Sequence, residues 1–170
     1  MGFFDKLFGG KSKDENTAKF TNQSKTVLTP LQGKVLAQAD IPDETFAQGI
    51  LGPGCGIEPT GDTVYAPFDG TVTQIATTLH AVGITSNDGI ELLIHVGMDT
   101  VDMKGQGFTA LVKENQTVSA GTPLLKVDLD AVRAAGHPTA TAIIVTDGAG
   151  DEVKMLAEGD VAPGTPLFKV

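Results

Sequence analysis

The sequence predicts an all-β fold: an antiparallel β-sandwich or closed barrel built from two similar β-halves, with a few short helices. Three observations predict it. Runs rich in Val, Ile and Thr are broken about every 8–12 residues by Gly, Pro, Asn or Asp, the rhythm of short strands joined by tight turns. Gly accounts for 21 and Pro for 9 of the 170 residues, which supplies those turns. Two stretches also occur twice. Pro30-Leu-Gln-Gly33-Lys-Val35 is echoed by Pro67-Phe-Asp-Gly70-Thr-Val72, and Val118-Ser-Ala-Gly121-Thr-Pro-Leu-Leu-Lys-Val127 by Val161-Ala-Pro-Gly164-Thr-Pro-Leu-Phe-Lys-Val170. Two copies are too few for a solenoid, so they imply two halves around one core.

In chain order, the patterns place strands at 33–38, 63–66, 70–76, 81–86, 90–96, 108–113, 123–127, 141–146 and 166–170. Each is a β-branched or apolar run bounded by turn residues. One helix is expected from Asp128 to Ala135, with Asp128 or Asp130 capping its start and Gly136 its end. Residues 26–170 read as a single domain. Residues 1–25 read as a flexible tail, with five Lys against three acids in an otherwise acidic chain. Within it, Phe3, Phe4, Leu7 and Phe8 fall on one face of a short helix. With Lys6 and Lys11, that face suits weak peripheral contact with an anionic membrane; the alternative is a disordered tail. Lys6 stands where a myristoylation signal wants Ser or Thr.

Composition excludes several classes of function. The net charge of −9 and the absence of Trp argue against nucleic acid, which wants cations and stacking platforms. An acidic surface suits basic protein partners. The single cysteine, Cys55, permits no internal disulfide, and with no spanning run or secretory signal the expected location is cytoplasmic. Cys55 sits in Gly-Pro-Gly-Cys-Gly, read as a turn.

The chemistry resides in the histidines. His95 lies in Gly89-Ile-Glu-Leu-Leu-Ile-His95-Val-Gly97-Met-Asp99-Thr100-Val101, a strand apolar around it. Such a residue is either a satisfied core histidine or an imidazole held by a rigid strand with one nitrogen free for transfer chemistry. His80 follows Thr77, Thr78 and Leu79. If strands 70–80 and 90–96 pair, its ring approaches His95, an arrangement suited to metal or to phosphate. His137, in Gly136-His-Pro138, reads as a surface loop residue.

The segment from Gly89 through Phe108 resembles the active-site signature of the glucose-type enzyme IIA of the bacterial phosphoenolpyruvate-dependent sugar phosphotransferase system. Thr78-Leu-His80-Ala81 resembles that family's second-histidine motif, and Ile41-Pro42-Asp43-Glu-Thr-Phe46-Ala47, Gly56-Ile-Glu58-Pro59-Thr60-Gly61 and the opening Met-Gly-Phe-Phe-Asp-Lys-Leu also fit. The family's late Val-Val-Ile-Ser-Asn is replaced here by Ile-Ile-Val-Thr146-Asp147, and residues 128–160 match weakly.

The resemblance implies a duplicated hybrid motif and a phosphohistidine carrier that needs no cofactor. His95 would accept a phosphoryl group from the histidine phosphocarrier protein through Nε2 and pass it to the IIB domain of a sugar permease. Its Nδ1–H would be held by a carbonyl near Gly97. His80 would stabilise the phosphoryl group and Thr78 would orient His80. Asp43 and Asp99 would rim the site and attract basic partners, with Phe46 in an apolar collar; the plainer roles are cap or turn carboxylates and a core ring. Regulatory partners are a further implication. The resemblance makes the chain a phosphotransferase component without small-molecule turnover of its own. The rival is a zinc-dependent hydrolase using His80, His95 and Asp99, although the chain lacks the closely spaced His pairs of such enzymes. Incidental zinc on His80 and His95, with no intrinsic metal site, is the milder form of that reading.

Overall fold

The computed structural model describes residues 20–170. The apolar face expected at Phe3–Phe8 lies outside the described residues. The tail boundary expected at residue 25 moves earlier. The Phe20 ring lies 5.6 Å from that of Tyr65, Asn22 Oδ1 accepts from Asp69 N at 2.8 Å, and Asp88 Oδ2 accepts from Lys25 N at 2.8 Å. The folded body therefore begins no later than Phe20.

The strands are β1 (Thr26–Leu28), β2 (Gly33–Leu36), β3 (Gly54–Pro59), β4 (Thr63–Tyr65), β5 (Gly70–Ile75), β6 (Ala81–Ser86) and β7 (Glu91–His95). They continue with β8 (Phe108–Ala110), β9 (Thr117–Val118), β10 (Pro123–Val127), β11 (Thr141–Asp147), β12 (Lys154–Met155), β13 (Asp160–Val161) and β14 (Pro166–Lys169). All pair antiparallel, in an eight-stranded sheet of order β13-β2-β3-β11-β7-β6-β5-β9 and two three-stranded sheets, β1-β14-β12 and β4-β10-β8. Two short helices, α1 (Glu44–Ala47) and α2 (Leu129–Ala134), complete the fold with 3-10 turns at Gln38–Asp40 and Thr100–Met103.

The sequence echoes become a quasi-two-fold relation. Gly33 pairs with Val161, and Gly70 pairs with Val118, so the first copy of each echo meets the second copy of the other. The turns interlock in the same way: Leu28 N donates to Pro67 O at 3.0 Å, and Tyr65 N to Pro30 O at 2.8 Å. Gly164 N donates to Thr29 O at 2.9 Å, and Gly121 N to Ala66 O at 2.8 Å. Gly33 and Gly70 share one steric reason: a Cβ on either would lie 2.2 or 2.1 Å from a carbonyl oxygen of the paired strand. The halves cannot be separated, because each supplies the other's strand partners.

The main core joins the three sheets through Phe68, Phe168, Leu124, Leu125, Ile94 and Ile143, all at most 2% exposed. A second, smaller cluster covers the opposite face of the large sheet, where Ile41, Phe46 and Met98 pack on Ala142, Ile144 and Leu93. Alternation along β7 puts His95 on the Leu93 face, against this second cluster.

The expected strands are present, most of them with shifted ends. The stretch around Cys55 is the main correction: it is not a turn but β3, inside the large sheet. Gly54 and Gly56 are required there by close approach. A Cβ at Gly54 would lie 2.0 Å from Ile143 O, and one at Gly56 would lie 2.9 Å from Ile41 Cγ1. Burial pushes the Cys55 thiol up to about 12, which keeps it an inert core residue. Strands β1, β9, β12 and β13 are two or three residues long, too short for a periodic signal. The predicted helix is α2; Asp128 Oδ1 accepts from Ala131 N at 3.0 Å, and Gly136 follows at φ 84°. His137 is half-buried in the loop beyond it.

Candidate functional site

β6 and β7 pair so that Ala81 lies opposite His95. That register carries His80, one residue before β6, beside the end of β7, and Val96 N donates to His80 O at 2.8 Å. The two imidazole centroids are 4.8 Å apart at 79°, edge to face. His80 is 7% exposed, whereas His95 is half-buried.

Each ring is held through Nδ1. His95 Nδ1 lies 2.8 Å from Gly97 O. A carbonyl can only accept, so Nδ1 carries the proton and Nε2 keeps its lone pair. Gly97 can deliver that carbonyl because it turns the chain at φ 74°, where a Cβ would lie 2.5 Å from Thr100 Cγ2. Thr100 is fully buried and donates from Oγ1 to Val96 O at 2.6 Å, which fixes the turn. Met98 N donates to Pro138 O at 3.1 Å and closes it from behind.

His80 Nδ1 lies 2.7 Å from Thr78 Oγ1. A hydroxyl can donate or accept, so the group meeting Nε2 selects the tautomer. Leu79, between the two, is left-handed at φ 63°, a conformation an ordinary side chain adopts only where the surroundings impose it.

Burial pushes the His95 pKa below its usual value, against the Gly97 hydrogen bond and the charges of Asp43 and Asp99. Burial also lowers that of His80, helped by the neighbouring His95 and opposed by the bonding at Thr78. Both rings are therefore neutral at pH 7.

Of the two roles the sequence offered for Asp43, the structure shows the cap. Its Oδ1 caps α1, accepting from Thr45 N at 2.9 Å and Phe46 N at 3.3 Å, and its charge reaches His95. The cap orients Phe46, which is 6% exposed with its ring centroid 4.9 Å from that of His95. Phe46 is thus a core residue of the second cluster, packed against the His95 ring. Asp99 is exposed at φ 58°, a left-handed position that Asp tolerates, and caps nothing with its side chain. Val101, just beyond it, is 52% exposed. Phe108 flanks His80, its ring 6.5 Å away.

All seven predicted site residues fall in this region or in the segments that position it. Sequence reasoning missed Thr100 and Phe108, although both lie inside the signature segment. Among the described residues, no group of three or more His, Cys, Asp or Glu is placed to hold a metal. The hydrolase reading thus lacks its third ligand, since Asp99 does not join the two histidines.

The fold is thus a β-sandwich whose large sheet brings two imidazoles together on one face, beside Asp43 and Phe46. Comparison with known proteins gives the family. Residues 25–150 match the model of the "phosphoenolpyruvate-dependent sugar phosphotransferase system, EIIA 1". The chain belongs to this family and is a phosphocarrier component of a sugar phosphotransferase system.

It is 41% identical over 169 residues to the "PTS system glucose-specific EIIA component" of Bacillus anthracis, covering 98% of each chain. It is 42% identical over 144 residues to the "PTS system glucose-specific EIICBA component" of Staphylococcus carnosus, covering 85% of this chain but 21% of that protein. The chain thus spans about a fifth of the length of such larger relatives. The solved glucose permease IIA from Mycoplasma capricolum superposes with a TM-score of 0.81 at 33% identity, over 89% of this chain and 98% of that one. Among the described residues, no helix is long and apolar enough to cross a membrane.

Proposed function

We propose that His95 is the phosphorylated residue, taking its phosphoryl group from the histidine phosphocarrier protein and passing it to the IIB domain of a sugar permease. The observation that carries this reading is the bond from His95 Nδ1 to Gly97 O, which leaves Nε2 as the unprotonated nitrogen of a neutral ring. In the transfer, Nε2 forms a bond to phosphorus as the donor's N–P bond breaks in line. The protein supplies position and charge stabilisation. The proton on Nδ1 stays where the carbonyl holds it.

His80 stabilises the transferred group. With a phosphoryl oxygen at Nε2, that nitrogen carries the proton and donates, and Thr78 Oγ1 donates to Nδ1. Asp43 and Asp99 draw basic residues of the donor toward the site, and Phe46, with exposed Val101, gives the apolar contact that excludes water. The larger relatives named as joined C, B and A components support a IIB acceptor. The glucose-specific names of the relatives make glucose the first sugar to test. The acidic, helix-poor body fits a cytoplasmic carrier.

The test is phosphorylation with phosphoenolpyruvate, enzyme I and the phosphocarrier protein, read by intact mass. One acid-labile phosphoryl group is expected on the wild type and none on His95→Gln. Wild-type protein that stays unmodified beside a competent donor would overturn the assignment.

A further inference from the structure

We propose that Gln38 is a positioning residue for the transfer reaction: its amide clamps the excursion that carries Phe46 against His95, and so sets partner recognition and not the chemistry of His95. The proposal rests on His95 being the acceptor.

The excursion runs from residue 37 to 53, between β2 and β3. Its helix α1 has four residues, far below the length at which a helix holds itself. Gln38 bridges its two ends. Nε2 donates to Phe46 O at 2.9 Å and to Gly52 O at 2.8 Å, and Oε1 accepts from Gly54 N at 3.2 Å. Both amide protons and the amide oxygen are thereby engaged, all with backbone groups. One of these is the carbonyl of Phe46 itself, and another is the N–H of the first residue of β3.

The far side of the excursion has no slack. Gly52 sits at φ 136°, and a Cβ there would lie 1.9 Å from Val145 O. Pro53 O accepts from Val145 N at 2.8 Å. The sheet thus fixes the end at 52–54, and Gln38 transmits that position to Phe46. Without the amide, Phe46 O keeps a bond from Gly49 N at 3.1 Å, which lies within the excursion and does not tie it to the sheet.

The experiment uses the full chain with Gln38→Leu and Gln38→Glu. Glutamate keeps the acceptor for Gly54 N but places an anion beside the Phe46 and Gly52 carbonyls. For both variants the KM for the phosphorylated phosphocarrier protein is expected to rise about tenfold with kcat within about threefold. The nuclear Overhauser contact between the Phe46 and His95 rings should weaken in parallel. Glutamate should match or exceed leucine, because the two donated bonds matter most.

An unchanged KM with the ring contact intact in either folded variant would overturn the proposal, as would a loss confined to kcat. If leucine does not fold, the glutamate variant decides alone; if neither folds, Gln38 is a folding residue and the positioning role is rejected. If the wild type accepts no phosphoryl group, the function assignment fails, while the ring contact still reports whether the clamp exists.

Discussion

The quasi-two-fold relation makes the β2–β3 connection, residues 37–53, the counterpart of the β5–β6 connection, residues 76–80. The short one is closed by its own backbone: Ala76 N donates to Ala81 O at 2.9 Å and Leu79 N to Ala76 O at 2.8 Å. It delivers His80 and Thr78. The long one folds over the outer face of the sheet, held by Gln38 and by Ile41 lying on Gly56, and delivers Asp43 and Phe46. A symmetric frame thus acquires an asymmetric site because its two equivalent connections differ in length. The short connection supplies the polar partner of His95, and the long one supplies the apolar wall.

Removing the polar partner should have the largest effect. His80→Gln should still accept a phosphoryl group on His95 but pass it to the IIB domain about 10²–10³-fold more slowly, as when one preorganised donor is deleted from a transfer site. Rapid-quench transfer measurements read this, and equal rates of forward transfer would remove His80 from the mechanism. Phe46→Ala should cost about 3 kcal/mol of stability in chemical denaturation, the low end for a buried ring because the second cluster is small. It should also weaken donor binding; a loss below about 1 kcal/mol would show that the long connection packs without its ring.

Smaller effects separate roles within each connection. Thr78→Val keeps the shape of the short turn but frees His80 Nδ1, so transfer should fall about tenfold at unchanged stability. Asp43→Asn should preserve most of the α1 cap while removing the charge. Thermal stability should then change little, and the His95 pKa, read by NMR titration, should drop further because the Asp43 charge raises it.

The least effect is a pH dependence. Both histidines have folded pKa values below the unfolded value of about 6.5, so the unfolded chain takes up protons first as pH falls. Their contribution to stability is constant above about pH 6.5 and declines as pH drops from there through the depressed values. NMR titration that put either ring above 6.5 in the unphosphorylated protein would contradict this.

Much of this was legible in the residues. Strand rhythm and the two echoes announced a duplicated β-fold, and His95, His80 and Thr78 stood in recognisable motifs. The strand at 54–59 was not legible, because its glycines look like a turn; only the nearness of Ile143 O and Ile41 shows why they are needed. Gln38 was equally silent, since an amide becomes a clamp only where its three partners converge.

The sequence by itself determined the local matters: turn positions, strand periodicity, the N-cap at Asp128, and which histidine lies in an apolar strand. Those depend on residues within a few positions of one another, where backbone sterics and side-chain hydrogen bonds act directly. Tertiary structure alone decided which turn locks which, that His80 and His95 stand 4.8 Å apart, and that Phe46 walls the second face. Those depend on strand register between distant segments, and register is fixed only when the whole core closes.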